Sequence, residues 1–278
     1  MVEIGNYNEL EVAKFVDFGL YLDSEDGEIL LPLKWIPEGV ELGDKLNVFI
    51  YRDSEDRMIA TTLKPKATVG QFAALEVKES SSIGAFLDWG LEKDLFVPFH
   101  NQRQLMEVGK KYVVYIYLDD SSDRIAGSTK LNKYLQPADD QISEGQQVKL
   151  LVSNATELGY NVIIDNKYSG ILYHNEVFKN LETGDEVTGY IKKIRPDGKI
   201  DVSLQQTGFA EVQDASQEVL TKLKQSGGTL NLSDKSDPQE IYAALGMSKK
   251  TFKKAIGTLY KEGKINLEPT RISLLGEE

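Results

Sequence analysis

Internal repetition constrains this chain more than any other feature of its sequence. The first copy opens with the strand-like run Leu10–Val16 and continues through Phe18-Gly19-Leu20-Tyr21-Leu22-Asp23. A polar turn, Ser24-Glu25-Asp26-Gly27, leads to Ile29-Leu30-Leu31-Pro32. After Gly43-Asp44 come a run from Leu46 to Tyr51, a turn over 53–56, and Arg57-Met58-Ile59-Ala60-Thr61-Thr62. The second copy restates the order. Ile83-Gly84-Ala85-Phe86-Leu87-Asp88 matches 18–23, Phe96-Val97-Pro98 matches 30–32, and Val114-Tyr115-Ile116-Tyr117 matches 48–51. The third begins near Gln147, with Gly159 in the place of Gly19 and Gly84, Gly184-Asp185 in the place of Gly43-Asp44, and a turn at Pro196-Asp197-Gly198. In that turn Pro sets φ, Asp bonds its own backbone and Gly accepts positive φ. Each copy holds five short runs in about 65–70 residues, with Gly at the bends, a pattern that predicts a small closed barrel because closure removes exposed strand edges. Pro32 cannot donate a ladder bond, so it closes a strand or sits on an edge.

The pattern changes after residue 208. Ser216 to Gln225 has helical spacing, with Val219, Leu220 and Leu223 on one stripe, and Gly227-Gly228 stops it. Asp237-Pro238-Gln239-Glu240 is a helix start, with Asp as N-cap and Pro at the first helical position. Gly246-Met247 turns the chain and Ser248 caps a longer helix whose apolar stripe is Phe252, Ile256 and Leu259. Gly263 ends it, and 264–267 with 271–275 read as a hairpin. The predicted fold is mainly β with a small α+β tail: three tandem five-stranded OB-fold barrels over 1–66, 67–137 and 138–208, then a winged helix-turn-helix over 209–278.

The net charge of −12 argues against nucleic-acid binding by the whole surface. The charge is uneven. Residues 1–66 carry 7 basic and 14 acidic side chains, net −7; residues 67–137 carry 8 and 9, net −1. Residues 138–208 carry 7 and 11, net −4, and 209–278 carry 10 and 10, net 0. Attraction to phosphate must therefore be local and lie toward the C-terminal half. There is no cysteine, which excludes thiolate metal sites and Cys nucleophiles. No apolar run approaches the roughly 18 residues of a membrane span, and the acidic N-terminus does not read as a secretory signal. These features predict a cytoplasmic protein with no membrane association. No P-loop, G-x-S-x-G, H-E-x-x-H or dinucleotide fingerprint is present. The carboxylate pairs Asp119-Asp120 and Asp139-Asp140 sit in turn-rich segments. No enzymatic activity, cofactor or metal is expected.

The third copy resembles the RNA-binding repeat of ribosomal protein S-one. Its GILYHNEV (170–177) is similar to that family's G-L-V-H-I-S-E-L strand, and KIDVSL (199–204) to its closing R-I-S-L-S strand. FGLYLD (18–23) and IGAFLD (83–88) resemble the family's F-G-A-F-V segment. Three such barrels ahead of a winged helix resemble the bacterial conserved virulence factor B family. That resemblance implies a cytoplasmic RNA-binding regulator of gene expression, virulence genes included.

The S-one-type family uses two aromatics of F-G-A-F, the His of G-L-V-H, and an Asp and Arg flanking the turn before the last strand. Carried over, these give Phe18, Tyr21, Asp53 and Arg57 in the first copy, with Pro32 at the His place. The second has Phe86, Asp119 and Arg124, with Ile83 and Pro98 at the other places. The third has Leu158 and Asn161 where aromatics would stand, Tyr173 at the His place and Lys199 at the Arg place. Stacking aromatics and a basic groove hold single strands, and attraction to phosphate contributes more than stacking. The third copy concentrates Lys192, Lys193 and Arg195 near Tyr160, Tyr168, Tyr173 and His174, and the longer helix carries Lys249, Lys250, Lys253 and Lys254. These residues, with Lys199, form the leading candidate RNA-binding set; Phe18, Tyr21, Arg57, Phe86 and Arg124 form a secondary one, and the first two barrels serve as spacers or protein-contact domains. Strand alternation predicts that only one of Lys192 and Lys193 faces a given groove. The alternatives are plain: strand aromatics as core, the lysine face as a solvated face, Trp35 and Trp89 as packing residues. Single-stranded RNA is the predicted partner. Two other readings stand beside it: a scaffold for a protein partner, and a DNA-binding regulator acting through the winged helix. The DNA-binding reading is the weaker of the two, because no dimerisation segment is evident; the oligomeric state is open, with a monomer favoured.

Overall fold

A computed structural model of the chain describes residues 1–177, 180–205 and 209–275, the stretch 209–214 by its backbone alone. Two compact units divide it, Met1–Leu135 and Gln136–Glu278.

In the first unit, β1 (Tyr7–Val16), β2 (Gly19–Asp23), β3 (Ile29–Pro32), β4 (Lys45–Arg52) and β5 (Met58–Thr61) close into a barrel of order β1-β2-β3-β5-β4. A second barrel repeats that order with β6 (Phe72–Ser80), β7 (Gly84–Asp88), β8 (Leu95–Pro98), β9 (Lys111–Asp119) and β10 (Arg124–Ser128). In the second unit β11 (Gln147–Ala155), β12 (Gly159–Ile164), β13 (Tyr168–Tyr173), β14 (Glu186–Ile194) and β15 (Ile200–Ser203) form a third. In each the third and fifth strands run parallel and the rest antiparallel. A 3₁₀ turn follows the third strand at Leu33–Trp35, Phe99–Asn101 and His174–Glu176.

Period-2 alternation fills each barrel. Leu20, Leu22, Ile29, Leu31, Val48 and Ile50 are fully enclosed in the first, while Tyr21 and Leu30 between them face outward. The first strand of every barrel carries an irregularity at the same place, after Val12, Val77 and Val152. The repeated Gly has a steric cause. A Cβ at Gly19, Gly84 or Gly159 would stand 3.1, 2.9 and 2.7 Å from the Cα of Pro32, Pro98 and Tyr173, and closer still to the preceding carbonyl oxygen. Only Gly lets the second strand approach the end of the third so nearly. The last strand of each barrel ends in a buried hydroxyl, Thr61, Ser128 or Ser203, which accepts from the backbone N–H two residues on.

Within the first unit the barrels share a core. Phe49 and Tyr51, on the outer side of β4, join the second barrel's hydrophobic cluster, and Phe49 meets Trp89 edge-on at 5.7 Å. This is why 48–51 is an unbroken apolar run: both its faces are buried.

The C-terminal module comprises α1 (Phe209–Gln225), β16 (Thr229–Leu230), α2 (Pro238–Leu245), α3 (Lys249–Lys261), β17 (Ile265–Leu267) and β18 (Ile272–Leu274), with sheet order β16-β18-β17. Asp237 caps α2 by accepting from Gln239 N–H at 2.8 Å, and Ser248 caps α3 by accepting from Thr251 N–H at 3.1 Å. Gly246 turns between them at φ 66°. Val219, Leu223, Ile241, Phe252, Ile256 and Leu259 interlock in one core. Strand β16 was not legible in the sequence: its two residues follow Gly227-Gly228, which signal only a stop. Among the described residues no helix is long and apolar enough to cross a membrane.

Candidate nucleic-acid interface

The equivalent faces of the three barrels, on their second and third strands, present different chemistry. On the first, Phe18 is 57% exposed and lies edge-on to Tyr21 at 6.3 Å. Lys14 sits 4.8 Å over the Tyr21 ring while its ammonium also meets Glu28. Arg57 donates from Nε and Nη2 to Asp53 Oδ2 at 2.9 and 2.8 Å across the turn. The Asp53 bond raises the pKa of Arg57 further.

On the second barrel the face is concave. A cleft of about 620 Å³ is lined by Ile83, Phe86, Phe96, Pro98, His100 and Tyr117, with Asp119 and Arg124 at the turn and Tyr51 and Arg52 contributed by the first barrel. Phe86 and Phe96 are cross-strand partners with ring centroids 5.1 Å apart. Arg124 does not pair with Asp119. It reaches Asp56 on the first barrel, with Nε at 2.9 Å from Oδ1, whereas Asp119 accepts from the hydroxyls of Ser121 and Ser122. Lys93 at the rim donates to the carbonyls of Arg52 and Asp53 at 3.1 and 2.7 Å, and burial lowers its pKa.

The third barrel departs from both. Tyr160 occupies the register of the inward Leu20 and Ala85, so its ring packs partly against the core and emerges beside His174, edge-on at 5.3 Å. Tyr168 is 2% exposed. Its hydroxyl donates to Asp139 at 2.5 Å and burial raises its pKa, so the sequence-based candidacy of Tyr168 as a stacking residue is corrected: its ring has no face for a base. Tyr173 stands opposite Gly159, as Pro32 and Pro98 stand opposite Gly19 and Gly84. Its hydroxyl accepts from Arg195, which also binds Asp201 at 2.7 Å. Arg195 begins the last turn, where the first two barrels have Asp53 and Asp119, so the charge there is inverted.

The expected alternation of Lys192 and Lys193 is also corrected. The register shifts between Ile191 and Lys193, leaving Lys192 as an extra residue. Ile191 and Ile194 both pack on the core, so both lysines fall on the outer side, the usual consequence of a bulge. Lys192 meets Glu176 at 2.5 Å and Lys199 meets Asp197 at 3.4 Å; Lys193 is exposed and makes no ion pair among the described residues.

In the winged helix the buried stripe of α3 is Thr251, Phe252, Ala255, Ile256 and Leu259. The opposite face carries Lys250, Lys253, Lys254 and Lys261 around Gly257, and α3 contains no acidic residue. Lys253 approaches Asp234 at 3.7 Å; Lys250 and Lys254 are exposed with no ion pair among the described residues. Lys249 lies at the edge of this face, and its ammonium donates to the Ser236 carbonyl at 2.8 Å. Sequence reading missed Lys261, though its spacing from Lys250 and Lys254 puts it on the same helical stripe. It also missed Phe96, His100 and Tyr117. The signal for Phe96 and Tyr117 was the alternation that sets them outward beside Val97 and Ile116. Among the described residues no cluster of three or more metal-ligating side chains gathers.

Residues 4–63 and 69–130 match the S1 domain family, and residues 217–274 match the CvfB-like winged helix domain family. A Bacillus subtilis protein called uncharacterized protein YitL is 28% identical over 280 residues, spanning 95% of this chain and 91% of that protein. Conserved virulence factor B of Staphylococcus epidermidis is 25% identical over 281 residues, spanning 98% and 94%. A crystal structure from Streptococcus pneumoniae, described as a multidomain protein with nucleic acid binding domains, is 25% identical and covers 98% of both chains, with a TM-score of 0.44. The domain content and the similarity over nearly the full length agree: the chain carries S1-type domains and a CvfB-like winged helix, and it is similar to conserved virulence factor B proteins from end to end.

Proposed function

We propose that this protein is a non-enzymatic, cytoplasmic binder of single-stranded RNA that regulates gene expression after transcription. The observation that carries the reading is the lysine face of α3, a helix without an acidic residue of its own on a chain of net charge −12. Its domains are of nucleic-acid-binding types, and the S1-type barrels favour a single strand. Phosphates bind α3 and the exposed Lys193, and bases stack on barrel faces. The cleft of the second barrel, with Phe86, Phe96 and Arg124, has the shape and chemistry for such stacking, so the first two barrels are more than spacers in this reading.

The test is an anisotropy titration of a labelled single-stranded RNA at low salt, followed by competition with unlabelled single-stranded RNA, single-stranded DNA and duplex DNA. Binding that falls steeply with salt and is displaced best by RNA supports the proposal. No binding at low salt refutes it, and displacement best by duplex DNA transfers the function to the winged helix as a DNA reader.

A further inference from the structure

Between the third barrel and α2, within the second unit, lies an open cavity of about 480 Å³ whose lining, among the described residues, contains no Lys, Arg, Asp or Glu. Tyr160 and His174 form one wall, and the His174 ring is oriented by Nε2 against the Thr156 carbonyl at 3.1 Å. Tyr242, on α2, lines the cavity with them. Val177 and Pro238 add apolar surface, while Asn180 and Gln239 bring carboxamides to the lining. The volume falls in the range of small-molecule sites.

We infer that this cavity receives one unstacked nucleobase of a bound single strand, a conclusion that rests on the RNA-binding reading above. Aromatic rings offer a base the faces it loses on unstacking. Carboxamides can donate to and accept from base edges, the chemistry by which single-stranded RNA is read. The described lining side chains offer a phosphate no cation, so the backbone is left to the lysines of α3. The pocket thus supplies a base-dependent contribution separate from the backbone-dependent one. It gives a use to the exposed part of Tyr160, which is only partly buried where Leu20 and Ala85 of the same register are fully buried.

The full chain is titrated with a single-stranded RNA dodecamer and with an abasic ribose-phosphate oligomer of equal length. Tyr242→Leu should weaken binding of the RNA by roughly 5- to 150-fold, the worth of one stacked base, and leave the abasic oligomer unaffected. Lys250→Ala with Lys253→Ala and Lys254→Ala should weaken both. If Tyr242→Leu fails to fold, Asn180→Ala and Gln239→Ala, both at exposed positions, carry the comparison. RNA binding that survives these changes, or is lost equally for both oligomers, overturns the pocket but not the RNA-binding function. No binding of RNA by the unaltered protein overturns both.

Discussion

At Gly159 a methyl group would meet the Leu172 carbonyl and stand 2.7 Å from Tyr173 Cα, both of them backbone that cannot move without opening β13 from β12. Gly159→Ala is therefore expected to destabilise the third barrel by more than ~2 kcal/mol, at the upper end of ordinary single substitutions. Chemical denaturation checks this; a loss below about 0.5 kcal/mol, the size of a neutral surface change, would falsify the close-approach argument. Asp139 makes a second, pH-dependent case. Its bonds from Lys167 and Tyr168 hold its pKa at about 2, against 3.8 for the free side chain. A depressed carboxylate pKa stabilises the folded state fully above the unfolded value, and that contribution disappears as pH falls through the folded one. The third barrel should thus weaken as pH drops from about 4 toward 2, and Asp139→Asn should remove that part of the dependence. Unfolding curves at several acid pH values that are parallel for the two proteins would contradict it. Residue-level legibility in the sequence was mixed. Gly159 could be matched to Gly19 and Gly84 because steric demand leaves one amino acid. Tyr168 could not be placed, because a tyrosine ring serves a core or a surface equally well until the register is known.

At the scale of elements, α3 and β14 show what periodicity reveals and conceals. The amphipathic stripe of α3 follows from 3.6-residue periodicity, and its lysines necessarily fall opposite. Replacing Lys250, Lys253 and Lys254 together by Ala should weaken single-stranded RNA binding about equally across sequences. It should also flatten the salt dependence of log K by up to ~2, since each phosphate of a single strand left without its lysine takes about 0.7 from the slope. Affinity and slope matching the unaltered protein would mean that the face is merely solvated. Strand β14 behaved otherwise. Its bulge sends Lys192 and Lys193 to one side, and an inserted residue is invisible to a period-2 count. The ion pairs were equally hidden. Lys192, Arg195 and Lys199 read as a basic strand, yet Glu176, Asp201 and Asp197 meet them.

At the scale of the molecule, the first two barrels share one core. Phe49 belongs to a strand of the first barrel and to the core of the second. Lys34 pairs with Glu92, and Arg124 with Asp56, across the same junction. Phe49→Ala should cost about 3–5 kcal/mol, as other large buried aromatics do. The loss should appear in amide exchange of both β1–β5 and β6–β10. Lowered protection confined to β1–β5 would show that the barrels fold independently. The same junction brings Tyr51 and Arg52 to the second barrel's cleft, giving the candidate base-stacking surface parts from two repeats.

Three repeats of five short strands and the capped helices of the winged module follow from local rules: alternation, helical periodicity, turn residues and recurring glycines. Those rules act between residues near in sequence, so the sequence alone determines them. Which side chains are free to meet a ligand is a matter of contacts between distant residues. Only tertiary structure shows that Arg124 is held by Asp56 and that Phe86 faces Phe96 across a cleft. It alone shows that Tyr160, partly buried against the third core, lines a cavity with residues of α2. Charge and aromatic content can be counted along a chain, but availability depends on which partner each group finds once the chain has closed on itself.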